Sequence, residues 1–218
     1  MEDRIELEKN FWNAYAKKYD GFIHNNVSKT YGLILDNLAM DTNKTENMLE
    51  IATGTGIISL ILSDHISKIT AIDIAPEMIK IASEKCNQES IGNIDFRIGD
   101  ACHLEFQDKT FDTVIASNVL HLLFEPELAL QEMKRVLKDN GQLIIPTYCH
   151  GDDLKSHIIS RIMGLAGFRA RTRWTLTGFR NFIKFNGFKI IKETVIKDKI
   201  PLVYLIVKKN MLLSTNGK

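Results

Sequence analysis

The stretch Met48-Leu49-Glu50-Ile51-Ala52-Thr53-Gly54-Thr55-Gly56-Ile57 constrains this chain more than any other. It opens as a short apolar run, the pattern of a strand buried on both faces. It breaks at two glycines and resumes as Ile57-Ile58-Ser59-Leu60-Ile61-Leu62, apolar enough for a covered helix. Strand, glycine turn and helix form half of a βαβ unit, and glycines let backbone approach a ligand closely. The next apolar run, Ile69-Thr70-Ala71-Ile72, ends on Asp73, seventeen residues after Gly56 (73 − 56). An acid at the tip of a second strand accepts hydrogen bonds from ribose hydroxyls. The pattern points to a ligand carrying an adenosine.

A nicotinamide dinucleotide is the first rival, with the fingerprint G-x-G-x-x-G. Here Ser59 stands where the third glycine belongs, and Glu50 lies just ahead of the loop. A pyrophosphate at the helix N-terminus is repelled by that carboxylate, whereas a ligand with an ammonium group is not. The run Glu50-Ile51-Ala52-Thr53-Gly54-Thr55-Gly56 resembles motif I of the class I S-adenosylmethionine-dependent methyltransferases. Ala52 replaces the first glycine of that motif and is expected to stiffen the loop.

Further along, strands are expected at Ile94–Ile98, Phe111–Ala116 and Gln142–Thr147, with helices from Pro76 toward Ser90 and from Glu125 to Lys138. Asn140-Gly141 reads as the stop of the latter helix. Ala75 is a poor N-cap, where Ser or Asp is expected. Thr175 can cap a helix through Phe185 that Gly187 ends, and Phe188–Ile196 and Pro201–Val207 read as a closing pair of strands. Alternating strands and helices imply an α/β fold with a mostly parallel sheet. The resemblance, which spans roughly residues 11 to 208, implies a Rossmann-like, doubly wound sheet of seven strands with an antiparallel C-terminal strand.

At 218 residues the chain can bury one substantial core. We read residues 1–218 as a single methyltransferase domain with N-terminal cap helices over about 5–38 and a helical lid insertion over about 151–174. Twenty-eight basic and 27 acidic residues leave no global field toward nucleic acid, and none is expected as a partner. Cys86, Cys102 and Cys149 lack metal-ligand spacing and suit a reducing, cytoplasmic compartment. No apolar run reaches the ~18 residues of a membrane span. The basic amphipathic segment Asp152–Leu165 and the cluster Arg169, Arg171 and Arg173 allow peripheral contact with an anionic surface; a solvated lid face is the bland alternative.

The resemblance implies roles residue by residue. Glu50 organises the loop and the methionyl ammonium of S-adenosylmethionine, while Ala52, Thr53, Gly54 and Gly56 line its methionyl part. Asp73 holds the ribose, Ile74 and Met78 pack on the adenine, and Asp100 and Ala101 bond its edge. Ser117 and Asn118 close the set at the fourth strand tip. An ordinary core residue on an apolar helix face is the lesser, second reading of Met78. Phe11, Trp12, Tyr15 and Tyr19 recur at helical spacing on one face between residues 5 and 20. They are either an aromatic core stripe or a cap in which Tyr15 and Tyr19 face the cofactor.

Methyl transfer is an in-line displacement whose leaving group departs neutral, so a base is needed only for a protonated nucleophile. His121 is the candidate base, and packing beside Leu120 and Leu122 is its other reading; His150 is a second. The acceptor is expected to be a small molecule. Alternatives are a phospholipid N-methyltransferase acting at a membrane surface and a binding protein that holds the nucleotide without turnover.

Overall fold

A computed structural model of the chain describes residues 2–43, 47–149, 170–198 and 201–210. Helix α1 (Glu2–Phe22) passes through a π-helical turn (Ile23–Val27) into α2 (Ser28–Asp41). Then come β1 (Asn47–Ile51), α3 (Ile57–Leu62), β2 (Lys68–Asp73), α4 (Pro76–Gln88), β3 (Ile94–Ile98) and β4 (Phe111–Ala116). A short 3₁₀ turn (Leu120–Leu122) leads to α5 (Pro126–Val136) and β5 (Leu137–Tyr148). Helix α6 (Leu176–Phe185), β6 (Phe188–Ile196) and β7 (Leu202–Lys209) complete the described chain. The expected lid segment from 151 to 169, with Asp152–Leu165, Arg169 and His150, lies outside the described residues.

The seven strands form one sheet in the order β3-β2-β1-β4-β5-β7-β6. Pairings among β1 to β5 are parallel, and β7 runs antiparallel to both of its neighbours, as the doubly wound reading requires. The order reverses between β1 and β4, so the crevice for a ligand opens there, outside the carboxyl ends of the strands.

Side-chain alternation along the strands splits the core in two. Leu49, Val114, Leu143, Ile145, Val203 and Leu205 face α5 and α6, meeting Leu130, Met133, Phe179 and Ile183. Met48, Ile115, Ile144, Tyr204 and Ile206 face the other way, toward Ile34, Leu38, Ile58 and Leu62 of α2 and α3. Residues such as Met48 and Leu49 are fully buried, so the strands read as continuous apolar runs.

One boundary differs from expectation. Helix α5 ends at Val136, and Asn140-Gly141 lies inside β5. The glycine is there for a close approach: a Cβ on Gly141 would lie 2.7 Å from the Asp112 carbonyl oxygen, beside an irregularity in the β4–β5 pairing. The chain's first helices also join through the π-helical turn without a loop.

Candidate functional site

The glycine loop is built from three left-handed residues: Ala52 (φ 56°), Gly54 (φ 58°) and Gly56 (φ 80°). Glycine adopts this conformation freely, whereas an alanine there costs roughly 1–2 kcal/mol. Ala52 therefore holds a conformation that the surrounding structure imposes. Gly54 lies under the Tyr19 ring, whose Cε1 would be 3.3 Å from a Cβ there. Gly56 has a different job. A Cβ on it would come within 2.9 Å of both Ala82 and Phe96, so its bareness seats α3 against α4 and β3.

Two buried carboxylates brace the loop. Glu50 accepts hydrogen bonds from Thr53 Oγ1 at 2.7 Å and from Ser59 Oγ. Burial raises its carboxyl from 4.5 to about 7; the two hydroxyls pull the other way, and the charge of Asp73 adds to the rise. Asp73 Oδ2 accepts from the Gly54 amide and Oδ1 from the Ala75 amide, each at 2.9 Å. Its carboxyl rises from 3.8 to about 6 because it is buried, against the pull of those backbone donors. Thr53 is tied in twice, its amide also bonding the Ile72 carbonyl at 2.9 Å.

Helix α1 lies along α4 and closes one wall. Asp20 accepts from Thr55 Oγ1 and pairs with Lys85, which also bonds the Thr55 carbonyl at 3.1 Å. Nearer its start, Asn13 Oδ1 accepts from the Glu77 amide at 3.0 Å. That bond supplies the cap missing at Ala75, whose side chain caps nothing. Trp12 and Tyr19 meet edge to face with ring centres 6.4 Å apart. The Tyr19 hydroxyl is pushed well above its ordinary range, mainly by burial and then by the charges of Asp73, Glu50 and Asp20.

These elements line a cleft at the carboxyl ends of the strands. Of the residues expected from sequence, Tyr19, Ala52, Gly54, Asp73, Ile74, Met78, Asp100, Ala101, Ser117 and Asn118 line it. Glu50, Thr53 and Gly56 stand behind the lining as supports, and Tyr15 packs edge to face on Trp12 and Tyr19. His121 is buried on the 3₁₀ turn and does not line the cleft; its carbonyl accepts from the Arg171 and Thr172 amides at 2.9 and 3.2 Å. Gly99 and Val119 line the cleft beside Asp100 and Asn118 at the same strand tips, while Glu8, Leu122 and Leu123 line it and were missed. Glu8 lies four residues before Trp12 on the same helix face, a spacing that could have flagged it.

At the β4 tip, Asn118 is left-handed (φ 54°), and its amide bonds the Pro146 carbonyl at 2.8 Å. Its Oδ1 and the Ser117 Oγ are buried without hydrogen-bond partners among the described residues. Buried polar atoms of this kind are costly unless something bonds them, so they fit a polar ligand in the cleft.

The fold and the cleft define a doubly wound protein whose cleft opens at its switch point. Residues 49–145 match the family model described as a methyltransferase domain. Over this stretch the chain is similar to methyltransferase domains. Among curated relatives, a phosphatidylethanolamine N-methyltransferase of Cereibacter sphaeroides is 34% identical over 128 residues, covering 58% of this chain and 62% of the relative. A demethylmenaquinone methyltransferase of Paenarthrobacter aurescens is 36% identical over 156 residues, covering 69% of this chain and 58% of the relative. The chain thus spans about three fifths of the length of these relatives. Among solved structures, the magnesium protoporphyrin IX methyltransferase of Synechocystis PCC 6803 superposes with a TM-score of 0.74 at 16% identity, over 94% of this chain and 99% of that one. At that identity the likeness is one of fold.

Proposed function

We propose that this chain transfers a methyl group from S-adenosylmethionine to a small-molecule or lipid acceptor. The observation that carries the reading is the cleft's ordered lining: acids Asp100 and Asp73 at the β3 and β2 tips, the Glu50-braced loop, then the unsatisfied oxygens of Ser117 and Asn118. Asp73 and Asp100 suit the adenosine end, with Met78 and Ile74 as apolar walls. Ser117 and Asn118 suit the methionyl and reacting end. The names of the curated relatives support the methyl-transfer reading.

Bound S-adenosylmethionine supplies an activated methyl group on a sulfonium. The chain's part is then to align and to exclude water, and alignment can contribute ~7–11 kcal/mol of the barrier. Tyr19 and Trp12 cover the loop side, while Val119, Leu122 and Leu123 present an apolar wall. With His121 outside the lining, an acceptor that arrives already nucleophilic fits best. The chain is read as one domain, with α1 and α2 as its cap.

Release of S-adenosylhomocysteine in the presence of candidate acceptors tests the proposal. Turnover on any acceptor, dependent on Gly54 and Asp73, is the expected result. Tight cofactor binding without turnover across phospholipid, quinol and carboxylate acceptors would favour a binding protein instead.

A further inference from the structure

The connector that precedes α6 sits against the acceptor side of the cleft. Arg171 and Thr172 donate their amides to the His121 carbonyl, which fixes the connector on the 3₁₀ turn whose Leu122 lines the cleft. Phe124 follows directly after Leu123, a second lining residue, and is 41% exposed. The Arg171 guanidinium carbon lies 3.1 Å from the centre of the Phe124 ring. Arg171 is thus held by its backbone and by its side chain.

Three other arginines are spoken for. Arg97 pairs with Asp95, Arg135 with Glu132 and Asp108, and Arg180 with Glu193. Arg171 and Arg173 are exposed and have no carboxylate partner among the described residues. A guanidinium resting on an aromatic ring keeps its N–H edge for a planar, two-pronged anion such as phosphate or carboxylate. Much of the ordering cost is already met, because ring and backbone hold it before any ligand arrives.

We infer that Arg171, assisted by Arg173, forms an anion-binding subsite at the outer rim of the cleft, and that the acceptor is an anionic amphiphile. Its phosphate or carboxylate rests on the arginines, its apolar part passes Phe124, Leu122 and Leu123, and its nucleophile reaches inward. This rests on the reading of the cleft as a methyl-transfer site. The anion comes either from a soluble molecule or from a lipid headgroup in a surface.

The test uses the full chain and three probes: inorganic phosphate, monomeric dihexanoyl phosphatidic acid, and vesicles of phosphatidylglycerol in phosphatidylcholine beside vesicles of phosphatidylcholine alone. Each is titrated with and without S-adenosylhomocysteine, against wild type and the R171Q/R173Q variant. The expected result is that the double variant binds the anionic probe at least about tenfold more weakly, while S-adenosylhomocysteine affinity stays within about twofold. F124A, which leaves both charges in place, should weaken the same probe severalfold by unseating Arg171. Binding of a soluble probe that the double variant loses supports the subsite with a free anion as its source. Binding of anionic vesicles only, lost in the same way, supports it with a headgroup as source. No binding of any anionic probe, or equal binding by wild type and R171Q/R173Q, overturns it. Failure of wild type to bind S-adenosylhomocysteine would instead strike the methyl-transfer reading, and the anion titrations without that ligand still decide the subsite.

Discussion

Replacing Asp73 by alanine separates its structural role from its ligand role. In the unliganded chain its carboxylate accepts from the Gly54 and Ala75 amides, so Asp73→Ala strands two buried donors. Each stranded donor costs about 1–3 kcal/mol. Against that loss, the site already works against the charge: a carboxyl raised from 3.8 to about 6 means roughly 3 kcal/mol spent at pH 7 to keep it ionised. The two effects largely offset each other, and stability at pH 7 should fall by no more than about 3 kcal/mol. Cofactor affinity has no such offset. Loss of a ribose acceptor should weaken S-adenosylhomocysteine binding by on the order of 1–3 kcal/mol, which is about 5- to 150-fold in Kd. Thermal unfolding and calorimetric titration on one preparation measure both. Unchanged affinity in a folded Asp73→Ala protein would refute the placement of the ribose at β2.

If α1 is a ligand-ordered cap, hydrogen exchange over residues 8–22 should slow when S-adenosylhomocysteine is added; identical protection with and without it would make α1 plain core. Asp20→Asn should speed that exchange in the free protein while costing only about 0.2–1 kcal/mol of stability, because the Asp20–Lys85 pair is partly exposed, and a larger loss by denaturant titration would contradict this. Ala52→Gly should relieve the left-handed cost but release more entropy on unfolding, for a net gain of about 0–1 kcal/mol; a drop of more than 1 kcal/mol in thermal unfolding would show that the methyl group itself is needed. Glu50 and Asp73 are both raised by burial, so their contribution to stability is present below about pH 4 and lost as pH rises through about 6 to 7. Glu50→Gln should flatten that decline in denaturant titrations, and an unaltered profile would remove Glu50 as its source.

Much of this architecture was legible because apolar or alternating runs between turn signals announce strands. Phe111–Ala116 is a buried run that became the central β4, while the half-buried segments Ile94–Ile98 and Phe188–Ile196 became the edge strands β3 and β6. Thr175 capped its helix as its side chain allows, accepting from the Gly178 amide at 3.0 Å. Gly141 misled because a helix stop and a close backbone approach demand the same residue. In the loop, sequence marked Thr53 and Gly56 as special without showing that one is tied to Glu50 and the other abuts Ala82. Glu8 is one of several acids in the first two turns of α1, and only docking of that helix turns it inward. The Asn13 cap joins residues 64 apart in sequence, beyond the reach of any local pattern.

That cap ties two movements together. The first turn of α4 begins three residues after Asp73, and its N-cap residue Ala75 offers no side chain to hold it. If α1 is a cap that swings away to admit or release a ligand, it takes Asn13 with it and leaves the start of α4 without that bond. An open gate would then loosen its own floor. Entry of a nucleotide would have to restore order in both helices at once, so the two should tighten as a single cooperative step.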